Sequence, residues 1–387
     1  MKTLLLVALV AALVLSIAAA GERTTPRAHR SGRAVTLATH GMVATSHPLA
    51  AQIGLDILKR GGNAVDAAIA TSAAMGLMEP MSCGIGGDLY IVVWDAKTQK
   101  LYGLNGSGRS PYRATQALFA ERGLKQIPLT GPLSWSVPGC VDGWDELRKR
   151  FGTMPLAQLL EPSIRYAEEG FPVTEVIAGY WKRAEAKLRR YPDAVKTYLI
   201  HDHAPKAGQL FQNPNLARTY REIADHGAEA FYRGRIAQEI VAFSDKNGGL
   251  FSLKDFSDHS STWVEPVQTS YRGYQVWELP PPGQGITVLQ MLNILEGYDL
   301  KKMGPRSADF WHLMIEAKKL AYADRARFYA DPAFVQVPTA DLIGKPYAER
   351  RRGLIDMHKA LTTVEAGDPK LSQSETIYLC VVDNQRN

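Results

Sequence analysis

Apolar residues recur at three-to-four spacing through several stretches of this chain and alternate with polar ones in only a few short runs. Ala50, Ile53, Leu55, Ile57 and Leu58 supply the apolar positions of a first helix, which Gly61-Gly62-Asn63 breaks. A second helix is expected over 64–78, dense enough in alanine to pack closely. Further helices are expected over 142–151, 156–169, 214–225, 231–243, 285–295 and 307–328. The last carries Phe310, Leu313, Met314, Ala317, Leu320 and Ala321 on one face. Strand signals at 89–94 and 100–104 flank Asp95-Ala96-Lys97-Thr98-Gln99 as an antiparallel hairpin, and a second pair at 262–268 and 274–279 surrounds the turn Ser270-Tyr271-Arg272-Gly273. Hairpins and helices alternate without a regular strand–helix beat. That predicts an α+β fold of antiparallel sheet covered by helices, not a doubly wound nucleotide fold. Pro- and Gly-rich stretches near 126–139 and 280–285 are too short to separate independent domains.

The N-terminus departs from this pattern. Lys2 precedes an apolar run from Leu4 to Ile17, followed by Ala18-Ala19-Ala20-Gly21. A basic start, a short apolar core and a small-residue end read as a secretory signal over 1–20, cleaved after Ala20. The run is shorter than the roughly 18–20 residues that span a bilayer. The expected location is therefore periplasmic or secreted. Across the 387 residues, 45% hydrophobic and 22% charged content is ordinary for a globular protein. The net charge of +6 is scattered, its densest run being Arg350-Arg351-Arg352, which argues for a solvated face and against nucleic acid as a partner. Three cysteines, Cys83, Cys140 and Cys380, match neither a metal site nor a disulfide framework. His201-Asp202-His203 reads as a polar loop, and no metal or cofactor is expected.

Three places carry candidate chemistry. Gly84-Ile85-Gly86-Gly87-Asp88 packs three glycines directly before a strand, where backbone can turn tightly or approach closely. It has no Gly-Lys-Ser/Thr continuation, so a phosphate loop is a weak reading. Arg109, in Asn105-Gly106-Ser107-Gly108-Arg109-Ser110-Pro111, offers a planar fork suited to a carboxylate, and Arg113 competes for that role. Near the end, Glu375-Thr376-Ile377-Tyr378-Leu379-Cys380-Val381-Val382-Asp383 places a threonine at the head of a β-branched, apolar run that closes in a turn signal. Taken alone, that is an ordinary strand.

Together these segments resemble the gamma-glutamyltransferase family. The likeness rests on Gly61-Gly62-Asn63-Ala64-Val65-Asp66-Ala67-Ala68, the 84–88 stretch, and Gly131-Pro132-Leu133-Ser134-Trp135-Ser136-Val137-Pro138-Gly139. It continues through Ala230-Phe231-Tyr232-Arg233-Gly234, Leu279-Pro280-Pro281-Pro282-Gly283-Gln284-Gly285 and Glu316-Ala317-Lys318-Lys319-Leu320-Ala321-Tyr322-Ala323-Asp324-Arg325, in order from about residue 38 to the end. The resemblance implies an N-terminal-nucleophile hydrolase fold, a four-layer αββα sandwich, in a precursor that cuts itself at Glu375-Thr376. It makes 21–375 a large subunit and 376–387 the start of a small subunit. Thr376 is then the nucleophile and Arg109 the grip on the substrate's carboxylate.

The implied activity is acyl transfer from, and hydrolysis of, γ-glutamyl amides such as glutathione. Water, an amino acid or a dipeptide would accept the acyl group. Ser110 stands where well-studied members often carry an acid or another polar residue, and Ile377 where they tend to carry a second threonine. Glutaryl or cephalosporin acylases are accordingly an alternative on the same scaffold, and a non-catalytic periplasmic ligand-binding protein is another. The expectation for these 387 residues alone is that they neither mature nor catalyse, because the family's oxyanion donors belong to the small subunit.

Overall fold

Two helices joined by a glycine turn sit at the centre of the architecture. In the structure, a computed structural model that describes residues 35–365 and 379–387, they are α1 (Pro48–Lys59) and α2 (Ala64–Met78). His40–Asn387 forms one compact unit. Gly61 turns the chain at φ +94°, and a Cβ on Gly62 would lie 2.7 Å from both the Ile57 side chain and Met154 Sδ. Asn63 and Asp66 then form a reciprocal capping box at the start of α2. The buried Asp66 carboxylate also accepts Thr153 Oγ1 at 2.5 Å, Thr153 N at 3.0 Å and Met154 N at 3.2 Å. The Gly-Gly-Asn-Ala-Val-Asp segment is thus a structural knot. It ties the head of α2 to the chain leaving α3 (Cys140–Phe151).

Alanines at 67, 70, 73 and 74 let α2 pack tightly against α1 and against α4 (Leu156–Glu169). Around them Trp144, Trp181 of α5 (Glu175–Leu188) and Tyr220 of α6 (Pro214–His226) are fully enclosed. The helix expected over 231–243 is instead two helices, α7 (Ala228–Tyr232) and α8 (Arg235–Lys246). The break falls at Gly234, where a Cβ would lie 2.5 Å from the Ala230 carbonyl. Helices α9 (Ile286–Leu295), α10 (Ala308–Phe328) and α11 (Lys345–Arg352) build a second apolar cluster around Leu313, Ala317 and Leu320. A buried Asp324–Arg351 ion pair at 3.0 Å stitches α10 to α11.

The strands are antiparallel, as the alternation predicts. Strand β1 (Met42–Ala44) precedes α1, and β2 (Leu89–Asp95) pairs β3 (Lys100–Gly106) with Leu89 opposite Gly106. The strand expected over 262–268 is divided, because Pro266 has no N–H to continue the ladder. Its first part, β4 (Thr262–Val264), extends the β2–β3 sheet. Its second, β5 (Val267–Tyr271), turns through Arg272 and Gly273, at φ +50° and +89°, into β6 (Tyr274–Glu278). Two successive positive φ values are what a two-residue hairpin turn with native twist requires.

Strand β7 (Cys380–Val382) returns from the far end of the sequence to pair with β1, Val381 opposite Val43. Asp383 locks it in place. Its buried carboxylate accepts Ala64 N at 3.1 Å at the start of α2, Gln385 N at 2.9 Å and Asn387 Nδ2 at 2.8 Å. Asp383→Ala would leave those donors without a partner and is expected to cost about 2–3 kcal/mol in urea unfolding, where Asp383→Asn costs less.

Candidate active site

Arg109 stands on a loop that the structure holds at three points. Gly108 N donates to Asp88 Oδ1 at 3.0 Å, Val137 N donates to the Arg109 carbonyl at 2.9 Å, and Tyr112 N donates to Asp255 Oδ1 at 2.7 Å. The loop also crosses segment 137–139 at very short range. A Cβ on Gly108 would come 1.4 Å from the Val137 carbonyl oxygen, and one on Gly139 would come 2.0 Å from that of Gly106. Only glycine allows this crossing. The 84–88 stretch completes it, since the Gly87 carbonyl accepts both Gly139 N and Cys140 N at 3.0 Å. The glycine run thus contributes a carbonyl to the crossing, while the close approaches themselves fall on Gly108 and Gly139.

The two arginines differ in what engages them. Arg113 Nε donates to the Leu250 carbonyl at 2.8 Å, its guanidinium pairs with Asp245 at 2.8 Å and also reaches the Phe251 carbonyl. It is a structural clamp. The Arg109 side chain is exposed and forms no hydrogen bond or ion pair among the described residues. A rigid backbone with an uncommitted guanidinium is what bidentate capture of a carboxylate needs.

Beneath Arg109 lies a buried polar group that sequence reasoning did not single out. His259 stacks on Tyr232 with ring centroids 5.2 Å apart, and its Nε2 lies 3.9 Å from Asp142 Oδ2. Tyr232 donates its hydroxyl to the Pro138 carbonyl at 2.7 Å and accepts Asp142 N at 3.1 Å. Burial pushes the His259 pKa down, Arg109 pushes the same way, and Asp142 and Asp88 oppose it. No spacing in the sequence links residues 142, 232 and 259; packing alone joins them. A second group lies where the chain leaves β1: Ser46 Oγ donates to the buried Glu79 at 2.7 Å, while Thr45 Oγ1 and both ring nitrogens of the enclosed His47 have no partner among the described residues. Because β7 is antiparallel to β1 with Cys380 opposite Ala44, the chain entering β7 does so at this end of β1.

Glu375 and Thr376 lie outside the described residues, as does the 1–20 segment expected to act as a secretory signal. Among the sequence candidates, the structure therefore positions Arg109 and Arg113. His201 and Asp202 occupy a tight turn at φ +50° and +63°, with His203 Nδ1 3.3 Å from the Arg189 guanidinium. The three cysteines are free thiols; burial raises Cys83 to about 12 and Cys140 further still.

The fold matches a solved cephalosporin acylase from Bacillus halodurans with a TM-score of 0.84 and 42% identity, over 94% of this chain and 67% of that one. This is an N-terminal-nucleophile hydrolase fold of the α+β class. The family described as Gamma-glutamyltranspeptidase matches residues 50–387, and the chain belongs to that family. The glutathione hydrolase proenzyme of Bacillus subtilis (strain 168) is 37% identical over 350 residues, 89% of this chain and 59% of that protein. The acylase ACY 1 proenzyme of Pseudomonas sp. (strain V22) is 38% identical over 358 residues, 90% of this chain and 64% of that protein. The chain thus spans about three-fifths of the length of these two relatives. Among the described residues, no helix is long and apolar enough to cross a membrane.

Proposed function

We propose that this chain supplies the nucleophile and the carboxylate receptor of an amidohydrolase that removes acyl groups bearing a distal carboxylate, γ-glutamyl or glutaryl. The observation that carries the reading is Arg109: pinned by its backbone, without a guanidinium partner among the described residues, and distinct from the committed Arg113. Residue 376 is proposed to become an N-terminus by attack of its hydroxyl on the Glu375 carbonyl, giving an ester that water opens. The freed α-amine, with a typical pKa of about 8, then serves as base for the same hydroxyl. In turnover Thr376 Oγ forms an ester with the acyl group, and the amide nitrogen leaves carrying the proton. Water then releases the acid, or an amino acid or dipeptide takes the acyl group. The oxyanion needs convergent donors, which this reading assigns to a small-subunit partner cut from the same precursor. Both curated relatives are named as proenzymes. Export by the 1–20 segment belongs to the same proposal.

Between the two acyl groups, the glutaryl reading is favoured by the 42% identity to the cephalosporin acylase. Ser110 and Ile377, which depart from the glutamyl-type pattern, point the same way. Kinetics on γ-glutamyl and glutaryl p-nitroanilides, with the precursor that carries both subunits, test both. Arg109→Met is expected to lower kcat/KM on the preferred anilide by about 10²–10³-fold, mostly through KM, while Arg109→Lys recovers part of it. Unchanged kinetics in Arg109→Met would refute the assignment of the carboxylate site.

A further inference from the structure

The crossing that carries Arg109 rests on one buried imidazole. The His259 side chain is 2% exposed, and its Nε2 has no hydrogen-bond partner among the described residues. Its Cε1 lies 3.3 Å from where a Gly139 Cβ would be, so the ring faces the α-carbon of the segment that crosses Gly106 and leaves no room there for a side chain. Its face lies on Tyr232, whose hydroxyl holds the Pro138 carbonyl. The next residue back, Val137, donates to the Arg109 carbonyl. A chain of contacts therefore runs from the imidazole through Tyr232, Pro138 and Val137 to the backbone of Arg109. Such contacts transmit small displacements because packed interiors yield little.

The charged groups around the ring come from each neighbouring element. Asp142 faces it from α3, Asp88 from the glycine stretch and Arg109 from the crossing loop, while Tyr232 of α7 presents its ring. Asp142 Oδ2 already accepts Ser261 N at 2.5 Å. A neutral imidazole fits this setting. A proton on it would place a second cation near Arg109 and draw Nε2 toward Asp142, pulling the ring off the Gly139–Tyr232 seat.

We propose that His259 is a positioning residue that sets the carboxylate affinity of Arg109 by seating the three-loop crossing as a neutral wedge, so that its protonation weakens substrate capture. The proposal rests on the reading of Arg109 as the carboxylate receptor, and the test separates the two. The probe is glutaramate, with one carboxylate and one amide, whose carboxylate stays ionised above about pH 5.5. Calorimetric titration into the full chain at pH 7.5 and 5.5 compares wild type with Arg109→Met, His259→Ala and His259→Phe, each below its melting temperature.

At pH 7.5 Arg109→Met is expected to abolish binding, His259→Ala to weaken it about tenfold, and His259→Phe, which keeps the stack, to stay within about twofold of wild type. Between pH 7.5 and 5.5 wild type is expected to lose about threefold and His259→Phe to stay flat. Binding that survives Arg109→Met, or is absent from wild type, overturns the carboxylate reading and this proposal with it. Loss in Arg109→Met with unchanged affinity in His259→Ala, or an acid-side loss that persists in His259→Phe, overturns the role of His259 alone.

Discussion

Gly108→Ala is expected to destabilise the protein by about 3 kcal/mol and to abolish glutaramate binding, although the substitution adds one methyl group to an exposed loop. The cause is local and severe: the new Cβ would sit 1.4 Å from the Val137 carbonyl oxygen, with that residue's carbonyl carbon at 2.6 Å and its Cα at 3.2 Å. All three are backbone atoms, so no rotamer change relieves the clash. The strands of chain must part, and parting them breaks the Val137–Arg109 hydrogen bond and strains the Gly108–Asp88 one. Overpacking usually costs about 1–3 kcal/mol, and a backbone-on-backbone collision belongs at or above the top of that range. Gly86→Ala supplies the control. It lies in the adjoining glycine stretch, and its added methyl would meet nothing within 4 Å, so its stability and binding should stay within about 0.5 kcal/mol of wild type. Chemical denaturation paired with calorimetry decides the matter: equal effects of the two substitutions would mean that the crossing does not hold Arg109.

The contrast between these glycines shows what a sequence can and cannot disclose. Helices with broad apolar stripes, such as α2, α4 and α10, were legible because burial repeats along them. Helix α5 was not, because only Ile177 and Trp181 of its 14 residues are buried, too narrow a stripe to register. The splits at Gly234 and Pro266 arise from single residues inside otherwise continuous patterns. At the site, Arg109 and its glycines could be named from the chain, but the reason to prefer Arg109 over Arg113 could not. That reason is the engagement of Arg113 by Asp245 and two carbonyls more than 130 residues away. His259 was invisible for the same reason: its partners Asp142 and Tyr232 meet it only through tertiary packing.

Thr376→Ala is expected to have the largest effect of any single substitution: no cut at the Glu375–Thr376 bond and a loss of at least about 10⁴-fold in amide turnover, since one hydroxyl is assigned to both reactions. The described structure makes the downstream side of that bond a firm anchor. Four to six residues after Thr376, strand β7 is hydrogen-bonded to β1, and Asp383 grips the start of α2. The proposed nucleophile is thus covalently joined to a strand that hydrogen bonds hold against β1 and the head of α2. Thr376→Ser keeps the hydroxyl and is expected to cut and turn over at a reduced rate, because serine lacks the methyl that restricts χ1 of threonine. Intact-mass measurement of the precursor that carries both subunits reads the first effect, and anilide hydrolysis reads the second. An alanine variant that still separates at 375/376 and hydrolyses either anilide at the wild-type rate would remove Thr376 from the mechanism. A variant that is cut normally but inactive would remove Thr376 from the cleavage alone, and only one that also hydrolyses either anilide at the wild-type rate removes it from turnover as well.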